Sequence, residues 1–239
     1  MRKIIFVLIG LIVTLSLFAQ TQLPKINTQK NLPNDHFMIQ FSSDYWLNAP
    51  DSISSHRDGS TRGANVYFMI NKPFQSNAHL SAAFGLGVGT SHHFFSRMSA
   101  DITGITPLLK FRALDTLTRF SKYKISTTYL ELPIELRYFS KPENPNKSVK
   151  IAVGVKIGTL LNAHSKGKTL VNASGTKLKD YTEKLTSKSY FNTSRLAVTA
   201  RVGYGNFSVF GSCNITQVFK DKVATNMSLL QVGINLAGL

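Results

Sequence analysis

Cysteine occurs once in the 239 residues, at Cys213, so an intrachain disulfide is excluded. Its place inside an alternating apolar run reads as a strand-wall position rather than a reactive thiol. Acidic residues are scarce, 12 against 28 Lys and Arg, which leaves a formal charge of +16. Beyond residue 20 no continuous apolar stretch approaches the roughly 20 residues that a membrane-crossing helix requires. A phosphate-cradling loop is also missing, because Gly85-Leu86-Gly87-Val88-Gly89 is followed by no helix signal. No Pro/Gly/Ser-rich linker divides the chain, so a single domain is expected. If the mature chain crosses a membrane, it does so as strands.

The first residues carry an address. Arg2 and Lys3 precede an apolar run from Ile4 to Leu17, and Phe18-Ala19-Gln20 offers a small residue before a polar stretch. That is the plan of a secretory signal peptide, with cleavage expected near Ala19. The expected division is a signal over 1–19, a polar lead over 20–36 containing Pro24 and Pro33, and one barrel domain over 37–239.

Alternation with period two dominates the remainder. From His79 to Thr90, Leu80, Ala82, Phe84, Leu86 and Val88 share one face, and Ser81, Ala83, Gly85, Gly87 and Gly89 share the other. The same pattern places strands at Phe37–Tyr45, Gly63–Asn71, Ile125–Phe139, Val149–Asn162, Arg195–Tyr204, Phe207–Thr216 and Met227–Leu236. Lys72-Pro73-Phe74-Gln75-Ser76-Asn77, Lys141-Pro142-Glu143-Asn144-Pro145-Asn146 and Gly205-Asn206 read as turns between them. Connections after the first, third and fifth strands are long, roughly 47 to 62, 91 to 124 and 163 to 193, those after the second, fourth and sixth are short, and a modest loop near Lys220 to Thr225 precedes the last strand. Short turns on one side and long loops on the other characterise outer-membrane barrels. The fold expected is all-β, an eight-stranded antiparallel up-and-down transmembrane β-barrel.

Aromatics at strand ends suggest interfacial girdles. Tyr45, Trp46, Phe94, Phe95, Tyr190, Phe191 and Phe219 fall at the long-loop end, and Phe74, Tyr138, Phe139, Tyr204 and Phe207 at the other. The faces opposite the apolar ones carry charge: Glu131, Glu135 and Arg137 on the fourth strand, Lys150 and Lys156 on the fifth, Arg201 on the sixth. In a soluble ligand-binding barrel the apolar face would turn inward and these charges would spread over the outer wall beside glycine strips. With the apolar face toward lipid they meet in a narrow lumen, where pairing is expected. Such a network either plugs the barrel or lines a path for small solutes.

Weaker candidates lie at the rim. Ser91-His92-His93, with Ser96 and Asp101 close in sequence, resembles the side-chain types of a rim acyl-transfer centre, but adjacent histidines on a strand point to opposite faces. His79 lies at the other end of the same strand, so a metal site with His92 and His93 is not expected, and neither is any cofactor. The segment from Arg97 to Lys124 holds Ile102, Ile105, Leu108, Leu109, Phe111, Leu114, Leu117 and Phe120, which suggests a short amphipathic helix that docks a partner or caps the mouth. Lys166, Lys168, Lys177, Lys179, Lys184 and Lys188 crowd one long loop, as solvated charge or as an attractor for lipopolysaccharide phosphates. Nucleic acid is not an expected partner, because the basic residues are not interleaved with stacking aromatics on one face.

The segment Tyr129-Leu130-Glu131-Leu132-Pro133-Ile134-Glu135-Leu136-Arg137-Tyr138 resembles the Y-L-E-[LI]-P strand of the PorT-like family of small outer-membrane β-barrels. Ala237-Gly238-Leu239 departs from the terminal aromatic of many such barrels. The resemblance implies outer-membrane location and, since the family takes its name from a component required for protein secretion, an accessory role in an envelope or secretion complex. The functional expectation is a non-enzymatic barrel acting through its long loops, in contact with outer-membrane lipid and envelope proteins. A narrow porin-like channel and a rim-located lipid-modifying hydrolase or acyltransferase are the alternatives.

Overall fold

The computed structural model describes residues 37–59, 61–114 and 118–237. The expected signal peptide, the polar lead, Leu117 and the terminal Gly238-Leu239 lie outside the described residues.

Eight long strands close into a ring: β1 (Phe37–Leu47), β2 (Arg62–Phe74), β3 (Asn77–Phe95), β6 (Arg119–Phe139), β7 (Val149–Val171), β9 (Ser194–Tyr204), β10 (Phe207–Gln217) and β11 (Ser228–Ala237). Every neighbouring pair is antiparallel, and β1 pairs with β11 from Met38↔Ala237 to Leu47↔Ser228, which leaves the ring without a free edge. Chain order equals ring order, as in an up-and-down barrel. Among the described residues no helix is long and apolar enough to cross a membrane.

The outer wall is apolar around the whole ring. Phe41, Phe68, Leu86, Leu136, Val153, Val202, Val209 and Ile234 are each exposed, at 46–56% of their surface. A belt of this size has no place in water and identifies the lipid-facing wall. The belt spans 80–88 in β3 and 130–138 in β6, about the 9–11 residues a tilted strand needs, and runs somewhat longer, over 149–161, in β7. The two chain ends of the barrel and the short turns share one side, the periplasmic side by the general rule of such barrels.

Several connections are tighter or more ordered than the sequence suggests. Lys72, Pro73 and Phe74 belong to β2 and Asn77 to β3, so Gln75-Ser76 alone makes that turn. Gly205, with φ 59°, takes the first central position of the Gly205-Asn206 hairpin, a backbone region that glycine enters without strain. β3, β6 and β7 extend well above the apolar belt, and β8 (Lys177–Thr186) pairs with the upper half of β7, on the edge that β9 uses lower down. A three-stranded ribbon, β6–β7–β8, therefore stands on the extracellular side. The helix expected within 97–124 is absent from the described residues there: a small pair, β4 (Met98–Ala100) with β5 (Phe111–Ala113), holds the segment instead. Tyr123 secures it by donating its hydroxyl to the Ala100 carbonyl (2.8 Å) and accepting from the Ala100 N–H (3.0 Å).

Candidate functional site

Inward-facing positions of the strands fill the lumen in layers, because alternate residues of every strand point to the axis. At the periplasmic end Glu135 is shared by two cations, Arg137 Nε at 2.9 Å and Arg201 at 3.0 Å. Above it Glu131 pairs with Arg195 at 2.7 Å and accepts from the Tyr67 hydroxyl. Lys156 donates to Gln40 Oε1 at 3.0 Å and lies over the rings of Tyr67 and Phe210, 5.2 and 5.4 Å from their centroids. Higher still, Asp44 accepts from Ser42, Ser91 and Gln231, and Arg195 donates to Gln231 Oε1 at 3.2 Å, which joins the middle layer to the upper one. Glu131, Glu135, Arg137, Lys156, Gln40, Tyr67 and Gln231 each expose 2% or less of their surface. These side chains occupy the lumen with almost no surface left to solvent.

Glu131, Glu135, Arg137, Lys156 and Arg201, read from alternation as lumen charges, thus stand in linked layers, with Lys150 near the short-turn end over the Phe139 ring at 5.7 Å. Arg195, Asp44, Tyr67, Gln40 and Gln231 complete the network; alternation alone puts Arg195, Tyr67, Gln40 and Gln231 on the inner face, but nothing in the sequence marks them as partners of the charges. Some of the inner glycines make room for it: a Cβ on Gly89 would lie 2.8 Å from Glu131 Oε2, and one on Gly63 2.8 Å from the Asp44 carboxylate. Strict alternation from Val149 puts Asn162 on the inner face with Lys150 and Lys156, but a bulge between Thr128↔Asn162 and Tyr129↔Leu160 shifts the parity, turning Asn162 toward the outer face and Ala163 inward.

The extracellular mouth is closed by an apolar cap. Trp46, Ile53, Phe95, Met98, Ile102, Leu109, Ile125, Tyr190, Phe191, Val218, Phe219 and Leu229 pack there as one cluster. Trp46 packs against His93, Phe95 and, edge to face, Phe219, with ring centroids 4.2, 5.6 and 5.5 Å away. Trp46, Phe95 and Phe219, expected in the outer girdle, are therefore core residues of the cap, exposed by 6%, 3% and 1%. Tyr190, Phe191 and, at the other end, Phe139 are buried likewise. For Trp46, Phe95 and Phe139 the reason is parity, since Tyr45, Phe94 and Tyr138 take the outward face and the next residue along each strand turns in, whereas Tyr190, Phe191 and Phe219 lie in connections drawn into the cap. Tyr45, Tyr138, Tyr204 and Phe207 keep exposed positions on the outer wall, at 38%, 42%, 59% and 69%, and Phe94 is half-buried there.

Ser91 and His93 meet beneath the cap, His93 Nε2 being 3.0 Å from Ser91 Oγ. The order of contacts is wrong for a nucleophile. Ser91 gives its proton to Asp44, so Nε2–H of His93 donates to Ser91 rather than accepting from it, and His93 Nδ1 has no partner. Burial lowers His93 to about 3, which makes it a poor base. His92 points outward to Ser126 Oγ (2.8 Å), and Asp101 caps Thr103 instead of joining the histidines. No group of three or more metal-ligating side chains stands together among the described residues.

Residues 10–220 match the model of a family described as outer membrane protein beta-barrel domain. The chain belongs to that family. No curated protein and no solved structure matches the chain. Membership and the apolar belt agree on the outer membrane as its location, and on a small barrel spanning it with eight strands.

Proposed function

We propose that the protein is a non-enzymatic, non-conducting outer-membrane barrel that serves as a structural or accessory component of an envelope or secretion complex through its extracellular cap and ribbon. The carrying observation is the double closure of its axis, by ion-paired layers in the lumen and by the apolar cap above them. An eight-stranded barrel has an interior just wide enough for its own side chains, and here they occupy it. The resemblance of Tyr129–Tyr138 to the PorT-like strand supports the accessory role. So does the tip of the 101–110 segment, where Ile105 is fully exposed and Leu108 exposes 57% while Ile102 and Leu109 are held in the cap.

Purified full-length protein in planar bilayers is expected to show no unitary conductance steps. Reproducible steps would favour the narrow solute channel and remove this reading. Co-purification from native membranes is expected to retain a stable protein partner, and Ile105→Ser with Leu108→Ser to reduce its recovery. Alanine at His92 and His93 is expected to leave membrane lipid profiles unchanged; an altered acyl pattern would point to the rim enzyme instead.

A further inference from the structure

The ribbon β6–β7–β8 is two-faced. Its inner face carries Tyr123, Ile125, Ala163 and Leu185 against the cap. Its outer face continues the lipid-facing wall upward and is basic. Lys124 pairs in register with Lys166, and Lys166 with Lys184, so three lysines form one row across three strands. Lys122 opposite Lys168 forms the next row. Neighbouring strands lie about 4.8 Å apart and successive rows about 7 Å, so five ammonium groups share a patch of phosphate dimensions.

Like charges placed directly opposite one another weaken a sheet, so such rows call for a compensating anion. Among the described residues no carboxylate lies within ion-pair distance of the five lysines: Asp180 on the same ribbon is held by Lys177 at 2.8 Å and Thr169 at 2.9 Å and feels Lys168 only from further away. The uncompensated field acts on the neighbouring groups. Burial together with Lys166, Lys168 and Lys184 lowers Lys124, and burial together with Lys184, Lys124 and Lys166 lowers His164. Phe94, Lys122, Tyr123, Lys124, Lys166 and Lys168 line a shallow depression of about 180 Å³, with Lys124 over the Phe94 ring at 5.6 Å.

Position selects the anion. The outermost lipid-facing residues are Leu130 in β6 and Leu161 in β7, and the Lys124/Lys166 row stands five to six residues beyond them. On strands tilted by about 40° this is about 15 Å above the apolar edge, among headgroup sugars and phosphates rather than in hydrocarbon or bulk water. We propose that the outer face of the ribbon binds the phosphate-bearing headgroup of lipopolysaccharide through Lys122, Lys124, Lys166, Lys168 and Lys184. This rests on the reading of the chain as an outer-membrane barrel whose ribbon is extracellular.

The test is binding of lipopolysaccharide to the full-length protein in detergent, read by native mass spectrometry, beside the same glycolipid after phosphatase treatment. Parent protein is expected to retain the phosphorylated form and lose the dephosphorylated one. Each Lys→Gln change is expected to weaken binding roughly five-fold, and the five together at least 100-fold. Replacement of all five by Arg is expected to keep it, and Lys141→Gln with Lys147→Gln on the periplasmic side to change nothing. Heat-modifiable gel mobility verifies folding, and the three-residue variant Lys124→Gln/Lys166→Gln/Lys184→Gln serves if the five-fold one does not fold. Unchanged retention by a folded Gln variant, or equal retention of the dephosphorylated lipid, overturns the proposal. Full displacement by millimolar inorganic phosphate reassigns the patch to free phosphate and overturns the lipid source. Conductance of the same preparations separates the two readings: channel steps would remove the sealed barrel and leave the lysine result standing.

Discussion

Glu135 shows at the scale of one residue why the lumen charges persist. It is almost fully buried and shared by Arg137 and Arg201, so its removal takes an ion-pair partner from two buried guanidinium groups. Glu135→Ala is expected to destabilise the barrel by about 3–5 kcal/mol, measured as a drop in the denaturant midpoint of folded protein in vesicles. Lys177→Ala, which breaks a solvent-exposed pair with Asp180, is expected to leave the midpoint unchanged. The lumen carboxylates were legible because period-two alternation fixes the face of every strand residue. Arg195 shares the parity of Arg201 but sits where the strand meets a loop, and Tyr67 and Gln40 look in sequence like any solvated polar side chain. Trp46 was misplaced for the opposite reason: an aromatic at a strand end resembles a girdle residue, although the parity of Tyr45 already turned its neighbour inward. Trp46 is the only tryptophan, so it reports on itself. Its fluorescence is expected to be blue-shifted and insensitive to brominated lipid chains at any depth; strong quenching would return it to the lipid face.

At the scale of elements, the sequence shows where strands begin inside the membrane better than where they stop outside it. The apolar faces of β3, β6 and β7 end near Val88, Leu130 and Leu161, so alternation loses its contrast there, yet pairing continues through Phe95↔Tyr123 and Arg119↔Val171. What sustains the extension is the cap, a tertiary cluster assembled from four connections that no single segment announces. The 97–124 segment has the apolar content of an amphipathic helix, but Ile102 and Leu109 are drawn into that cluster and β4 pairs with β5 across it. The cap also titrates. His93, buried under Trp46, is held near 3 against an ordinary value of 6.5, and His92 near 4. A histidine lowered by folding is protonated first in the unfolded chain, so stability is full well above pH 6.5 and declines as pH falls toward the folded value, by up to about 1.4 kcal/mol per unit for the buried His93, while the outward-facing, partly exposed His92 is screened and contributes less. Between pH 6.5 and 5, above the ordinary carboxylate range, the urea midpoint is expected to fall, and His93→Gln to flatten the slope. A midpoint independent of pH across that window would show His93 solvated in the folded state.

On the scale of the whole molecule, the ring closure and the phase of long and short connections were the most legible features, because both follow from repeating one local pattern eight times. The closure of the axis was not, since it depends on which inward side chains meet from opposite walls. Two seals lie in series along that axis, and this makes a prediction that neither seal makes alone. Replacing Glu131, Arg195 and Lys156 together by Ala, with Tyr67→Ala and Phe210→Ala, removes the middle of the plug without leaving Glu131 or either of its cations stranded. The cap then still covers the mouth, so no conductance is expected. Replacing the 97–118 connection by a short polar turn removes Met98, Ala100, Ile102 and Leu109 from the cap, but leaves the plug intact, and again no conductance is expected. The combined variant opens both and is expected to show small unitary steps in planar bilayers, with the heat-modifiable mobility of a folded barrel. Conductance from the plug variant alone would mean that the cap does not seal, and conductance from the cap variant alone that the lumen layers do not. A folded combined variant that stays silent would place the barrier in the strand walls themselves, where the side chains of an eight-stranded ring already span most of the interior.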